Sequence, residues 1–250
     1  MNAKNNVSLP ESVFPAQMQI LSGSALKLIA ILTMLIDHTG VIILSKIPAG
    51  SEPLFTLFGK DYTLYMLSRN IGRIAFPIFC FLLLEGIKYT RSRIKYALNL
   101  LLFAFVSEIP WDIWHFNGFS FDKQNVFFTL FLGMCAICAI EYFQDNQGFQ
   151  LLAMLLFLFL AKKCNADYGW KGYVFILIMY FLKERRVAQA FLGSCWLAYE
   201  WRACFAFIPI NMYNGKRGFI RGKPGKYLFY AFYPLHICVL LWIRKYFLHM

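Results

Sequence analysis

Charged residues are scarce in this 250-residue chain: Asp, Glu, Lys and Arg make up 15% of it, where soluble domains carry about 25%. That scarcity, beside 59% apolar residues, excludes a single soluble domain. Disorder is excluded by 27 Phe, 14 Tyr and 6 Trp, far more apolar ring than an unfolded chain carries. Acidic residues are the scarcer sign, 13 against 25 basic ones. A net charge of +12 would suggest nucleic acid in a soluble protein. In so apolar a chain it points instead to the Lys and Arg that gather in cytoplasmic loops of membrane proteins, and no nucleic-acid partner is expected. The first 22 residues lack the basic head, apolar run and cleavage site of a signal peptide. They read as a cytoplasmic tail. No internal repeat, heptad or low-complexity run is present, which argues against transporters built from echoing halves. The seven cysteines include one CxxC, Cys135 and Cys138, in an apolar helical run with no second pair. They read as small buried apolar residues rather than a zinc or redox centre, and no metal is expected.

Long apolar runs are what the chain has. A membrane helix needs about 20 such residues. Runs at about 25–45, 70–88, 94–114, 125–143, 149–163, 169–183 and 227–248 read as spans. Residues 187–213 read as one long tilted helix or as two short ones broken at Glu200-Trp201-Arg202. Basic loops should share the cytoplasmic side. With nine spans, Lys88/Arg91/Arg93/Lys95, Lys183/Arg185/Arg186 and Lys216/Arg217/Arg221/Lys223/Lys226 share one face. With eight, the first and last groups fall on opposite faces. The expected fold is therefore all-α: a polytopic membrane helix bundle of about nine transmembrane helices, with eight as the alternative. It comprises a cytoplasmic tail over 1–22 and a single integral-membrane domain over 23–250.

An ionisable group inside a span costs roughly 2.5–3.5 kcal/mol on insertion scales, so each is a functional candidate. Asp37 and His38 interrupt the first span. Lys27 marks its inner end, which puts His38 about 16 Å deep at about 1.5 Å per residue. His236 follows Tyr227 by nine residues and reaches a similar depth. Two histidines at one depth could line one cavity, and imidazole takes and returns a proton near neutral pH. Neighbouring helix residues diverge by about 100°. Asp37 is therefore not expected to hold His38 unless the helix unwinds near Gly40. The alternative is that Asp37-His38 pairs with a basic residue to lock helices together. Arg69 and Arg73 share a face and could hold an anion or sit among headgroups. Glu108 and Asp112 flank Pro110, which kinks or ends the helix. They could bind a cation or an amine, deprotonate one, or mark an interfacial helix end with Trp111 and Trp114 as belt aromatics. Asn125, Thr129 and Gly133 read as a small-residue packing stripe. Tyr233, three residues before His236, is a candidate oxyanion donor together with Arg73.

Outside the spans, Asn214–Lys226 packs four glycines and five Lys or Arg into 13 residues. Glycine lets backbone N–H groups approach an anion, and Lys and Arg supply charge-assisted hydrogen bonds to phosphate. The spacing is not that of a P-loop. Asn214, Lys216, Arg217, Arg221, Lys223 and Lys226 are thus candidates for a polyphosphate, or a flexible loop that follows the positive-inside rule.

Taken together, these residues resemble the TraX family of integral-membrane acetyltransferases. The matching stretches are KLIAILTMLIDH (27–38), GRIAFPIF (72–79), SEIPWD (107–112), NVFFTLFLG (125–133), DYGWKG (167–172), YNGKRG (213–218) and KYLFYAFYPLH (226–236). The resemblance extends distantly to the transmembrane acyltransferases that include heparan glucosaminide N-acetyltransferase. It implies a multi-pass protein of the bacterial inner or cytoplasmic membrane with acetyl-CoA as co-substrate. His38 would be the matching membrane histidine. Read from the residues, His38 would be the general base or the acylated nucleophile, with Asp37 tuning it, Arg73, Tyr233 or His236 stabilising the oxyanion, and Glu108 a further candidate. The acceptor would be an amine or hydroxyl: a pilin N-terminus, or a cell-surface or small-molecule group. Membrane lipid is the other implied partner. Two other classes compete on the residues themselves. One is a proton-coupled transporter or exporter using Asp37, His38, Glu85 and Glu108. The other is a non-catalytic membrane scaffold.

Overall fold

The computed structural model describes residues 12–220 and 222–248, with the side chain of Lys223 excepted. Residue 221, and with it the expected role of Arg221, lies outside the described residues, as does the tail before residue 12. The chain is helical almost throughout, as its unbroken apolar runs dictate: in hydrocarbon, backbone polar groups must be satisfied within the segment. The elements are α1 (Gly23–Ile42), α2 (Pro48–Ser51), β1 (Pro53–Leu57), β2 (Lys60–Thr63), α3 (Leu64–Gly72) and α4 (Ala75–Tyr89). There follow α5 (Arg93–Phe116), α6 (Val126–Tyr142), α7 (Gln147–Cys164), α8 (Gly169–Phe181) and α9 (Arg186–Trp196). A 3-10 stretch (Ala198–Ala206), α10 (Phe207–Asn211) and α11 (Gly222–Phe247) complete the fold. The short antiparallel pair β1–β2 is the only sheet among the described residues.

Hydrogen bonds sort the helix ends into two groups. Leu21 N–H donates to the Met212 carbonyl at 2.9 Å and Gly23 N–H to that of Lys216 at 2.8 Å. The Tyr213 hydroxyl donates to Glu85 at 2.8 Å, Arg186 to the Tyr213 carbonyl at 3.1 Å, and Arg93 pairs with Glu141. These contacts gather the starts of α1, α5 and α9 and the ends of α4, α6 and α10 at one end of the bundle. This basic end also holds Lys88, Arg93, Lys183 and Arg217. At the opposite end, Trp111 donates to the Lys123 carbonyl, Asp167 N–H to that of Gln124, and Trp196 to that of Lys171. With α3 and α4 taken as one continuous segment, α1, α3–α4, α5 and α6 therefore alternate in direction.

Five helical segments are long and apolar enough to cross a membrane: Gly23–Lys46, Leu64–Tyr89, Arg93–Phe116, Gln147–Cys164 and Pro224–Phe247. Val126–Tyr142 and Gly169–Phe181 are shorter apolar helices. The second segment begins six residues before the 70–88 expected, because Leu64–Leu67 extend the helix beyond Arg69. Residues 187–213 form two short arms, not one tilted helix. The backbone leaves helical geometry at Glu200 (φ −126°, ψ 51°). At 11 residues α9 spans only about 16 Å, half of a hydrocarbon core about 30 Å thick. Helix α5 runs through Pro110 to Phe116, close to the 94–114 expected, so of the two expectations at that proline the helix end is not met. One face of α7 leaves Leu151, Leu152, Leu155, Leu156 and Phe159 more than half exposed, an apolar stripe suited to lipid.

Helix α1 is the hub, packed against α3, α4 and α11. Two glycines permit this. A Cβ at Gly72 would overlap the Asp37 side chain, and one at Gly40 would overlap Ser68. Gly40 thus serves close approach rather than unwinding, and α1 continues helically through His38.

Candidate functional site

Helices α1 and α11 carry His38 and His236, 15 and 14 residues past their first residues. Equal depth along adjacent helices becomes direct contact: His38 Nδ1 and His236 Nε2 lie 2.6 Å apart, with the rings within 11° of parallel. Both histidines are buried, at 8% and 5% exposure. The other nitrogen of His236, Nδ1, is 2.7 Å from the Phe232 carbonyl. A carbonyl only accepts, so this Nδ1 must carry the proton. In a neutral imidazole the second nitrogen is then an acceptor. His236 Nε2 therefore accepts, and His38 Nδ1–H donates to it. The hydrogen-bond network thus assigns His38 Nε2 as the basic nitrogen of the pair. Buried partners fix tautomer and ring orientation in just this way in other histidine sites.

The surroundings of the pair are aromatic on two sides. The Trp114 ring lies 5.2 Å from His38, and Tyr233 meets both histidines edge-on at 5.9 and 5.7 Å. Trp111 is buried at 2% exposure, and its indole donates to Lys123. Trp111 thus lines the interior, while Trp114 is half-buried against His38. Tyr233 also packs edge-on against Phe127 in the first turn of α6, at 5.3 Å. Its buried hydroxyl has no hydrogen-bond partner among the described residues.

The carboxylates are distributed otherwise than their spacing suggests. Asp37 turns away from the histidines and takes Arg69 at 2.6 Å, so half of Asp37-His38 locks α1 to α3 while the other half faces α11. Its second oxygen is buried and unpartnered. Arg73 pairs with Glu200 at 3.1 Å and so is tied to the 3-10 stretch rather than joined to Arg69. Glu108 and Asp112 do not act as a pair. Glu108 accepts from Asn125 at 2.6 Å, and Asp112 accepts from the Ser120 backbone at 3.2 Å. Asn125 is fully buried and caps α6 through Phe127 N–H. It is therefore a polar connector, where the sequence suggested a packing stripe. Thr129 likewise donates to the Asp167 carbonyl at 2.5 Å; only Gly133, against Ile176, is a pure packing position. Glu108, Ser107 and Asp112 each retain a buried unpartnered oxygen. Native interiors leave few such atoms, and each calls for a polar occupant or a functional use. With those of Asp37 and Tyr233, they lie on α1, α5 and α11, the helices that carry the histidine pair and Trp114, while Gln19 and Glu141, the latter ion-paired with Arg93, hold two more away from that group. No cluster of three or more metal-ligating side chains exists among the described residues.

The basic loop is docked, not open. Its carbonyls at Lys216 and Arg217 accept from Gly23 and Ser24 N–H, the first donors of α1, at 2.8 and 2.9 Å. Ser24 Oγ adds a bond to Arg217 and receives one from Ile220 N–H. Gly218, at φ +82°, sits where a Cβ would overlap Ser22 and Ser24. The loop's glycines therefore serve its seating on α1. Asn214 caps a turn by accepting from Lys216 N–H at 3.0 Å. Arg217 lies over Tyr89, and Lys226 near the rings of Tyr227 and Tyr230.

The fold and the site define a polytopic helical membrane protein with a buried histidine pair between its first and last long helices. The family described as TraX protein matches residues 22–244. The chain belongs to the TraX family. It is 29% identical over 251 residues to the probable fimbrial assembly protein FimC, serogroup H1, of Dichelobacter nodosus, covering 88% of this chain and 94% of that protein. No solved structure matches.

Proposed function

We propose that the protein is an integral-membrane acyltransferase that moves an acetyl group from acetyl-CoA to an amine or hydroxyl, with His38 as general base. The single observation that carries this reading is the order of protons in the histidine pair, which leaves His38 Nε2 as the basic nitrogen in a buried polar site. His38 takes the proton of the acceptor N–H or O–H as its lone pair attacks the thioester carbonyl. The tetrahedral intermediate collapses with cleavage of the C–S bond, and the imidazolium returns the proton to the departing thiolate. His236 holds the ring in register, and the unpartnered Tyr233 hydroxyl donates to the developing oxyanion. A single such donor is worth about 3–4 kcal/mol in the best-studied acyl-transfer sites. Asp37, Arg73 and Glu108 act as structural charges around the pair, held by Arg69, Glu200 and Asn125. The basic end, with Lys216, Arg217 and Lys226, receives the phosphates of coenzyme A from the cytoplasm. The fimbrial name of the Dichelobacter nodosus relative favours a pilin amino group as acceptor.

The test is transfer of label from acetyl-CoA by the purified chain to pilin peptides with free or blocked N-termini. Loss of about 100- to 10,000-fold is expected for His38→Gln, the usual range for a positioned general base. Unchanged turnover in that variant would overturn the reading. Proton-coupled flux in liposomes without acyl-CoA would favour a transporter instead.

A further inference from the structure

A polar cavity lies at the basic end, away from the histidine pair. It measures about 210 Å³ and is floored by Arg186, Gln189 and Tyr213, each 3% exposed or less. Its rim carries Lys88, Arg93, Lys183 and Glu184. Arg186 is the unusual member. Its guanidinium donates to the Tyr213 carbonyl at 3.1 Å and rests 5.7 and 5.4 Å from the rings of Phe81 and Tyr213. It makes no ion pair among the described residues. A guanidinium has five donors, and only this one bond is made. None of its nitrogens is among the sealed, unpartnered polar atoms, so the remaining donors open into the cavity. Glu85 and Glu184 line the same cavity and attract this charge from a distance, but neither forms an ion pair with the guanidinium, and a buried arginine is stabilised when an anion meets its free donors directly.

Three carboxylates share the lining with the basic residues: Glu85, Glu141 and Glu184. Glu141 belongs to Arg93 and also accepts from Tyr180 at 3.0 Å. Glu85 accepts from the Tyr213 hydroxyl at 2.8 Å, and Glu184 is exposed at the rim. Lys88 and Lys183 remain at the mouth. The first turn of the 11-residue α9 begins at Arg186 itself and has no side-chain cap, so its partial positive charge adds to that of the guanidinium.

We infer that this cavity binds a phosphate group, with Arg186 as its bidentate anchor and Lys88 and Lys183 at the entrance. Arginine's planar fork matches phosphate oxygens in pairs. The phosphate belongs either to a soluble nucleotide-like ligand or to an anionic lipid headgroup; both present the same tetrahedral anion at the basic end. The inference does not rest on acyl transfer, and its test separates the two. The full chain in non-ionic detergent is melted while inorganic phosphate, coenzyme A or short-chain phosphatidylglycerol is titrated at constant ionic strength. A saturable rise in midpoint with at least one probe is expected, stronger with coenzyme A for a soluble ligand and with phosphatidylglycerol for a lipid. Arg186→Gln should weaken the apparent affinity on the order of 10- to 100-fold, the equivalent of a charged hydrogen-bond pair. His38→Gln should leave the shift unchanged even if it abolishes transfer. Should Arg186→Gln fail to fold, the exposed double variant Lys88→Gln/Lys183→Gln must lower the affinity and its salt dependence. Absence of any shift, or an equal shift in the Arg186 or rim variants, overturns the inference.

Discussion

Replacing the two histidines by phenylalanine, singly and together, measures the contact on which the site depends. Phenylalanine keeps the planar ring and removes both nitrogens. In His236→Phe, the Nδ1–H of His38 loses its acceptor while remaining buried. In His38→Phe, the Nε2 lone pair of His236 is stranded. Each single change therefore leaves one buried polar nitrogen unsatisfied, which costs about 1–3 kcal/mol. The double variant removes both ends of the 2.6 Å contact and leaves no nitrogen stranded. Its cost should fall below the sum of the singles by about 0.5–3 kcal/mol, the range for residues in contact. Reversible unfolding in mixed micelles gives the four free energies needed. Additivity within about 0.3–0.5 kcal/mol, as for independent sites, would refute the hydrogen bond and with it the assignment of His38 Nε2 as the base. The measurement needs no substrate and stands apart from the proposed chemistry.

Three further outcomes follow from the packing. Gly72→Ala places a methyl group on the Asp37 side chain and should cost about 1–3 kcal/mol by overpacking, read as a lower unfolding midpoint. Asn125→Ala removes the α6 cap and the donor to Glu108 together. A cap alone is worth about 0.5–2 kcal/mol, and the loss should exceed that of the cap-only change Asn146→Ala in α7. Gly218→Ala imposes a left-handed backbone on alanine, about 1–2 kcal/mol. It should also loosen the loop from Ser22 and Ser24, seen as faster proteolysis within 214–226.

Much of the architecture is legible in the residues. Apolar runs mark the long helices because a spanning backbone has few other solutions, and spacing along α1 and α11 places His38 and His236 at one depth. Residues 187–213 resist the same reading, since short arms in the interior and one tilted helix share an apolar composition. Asn125 hid its role because a buried amide and a packing residue look alike until the neighbouring helix is in place. Arg186 is hidden in the sequence for a related reason. In sequence it is one of three basic residues in a short loop, counted toward topology, and only the packing of α4, α9 and Tyr213 shows its side chain to be interior.

The sequence by itself determined the class of molecule, the polar residues that had to find partners inside it, and the near-equal depths of the two histidines. These follow from composition and from a fixed rise per residue. Tertiary structure alone decided the partners: Arg69 for Asp37, Asn125 for Glu108, His236 for His38, and α1 for the glycine-rich loop. Partner choice depends on how helices rotate about their axes and which neighbours they meet. That is settled by close approaches such as Gly72 against Asp37, through contacts between residues far apart in the chain. The order of protons across the histidine pair is the clearest case, because it is set by a carbonyl on α11 and read out on α1.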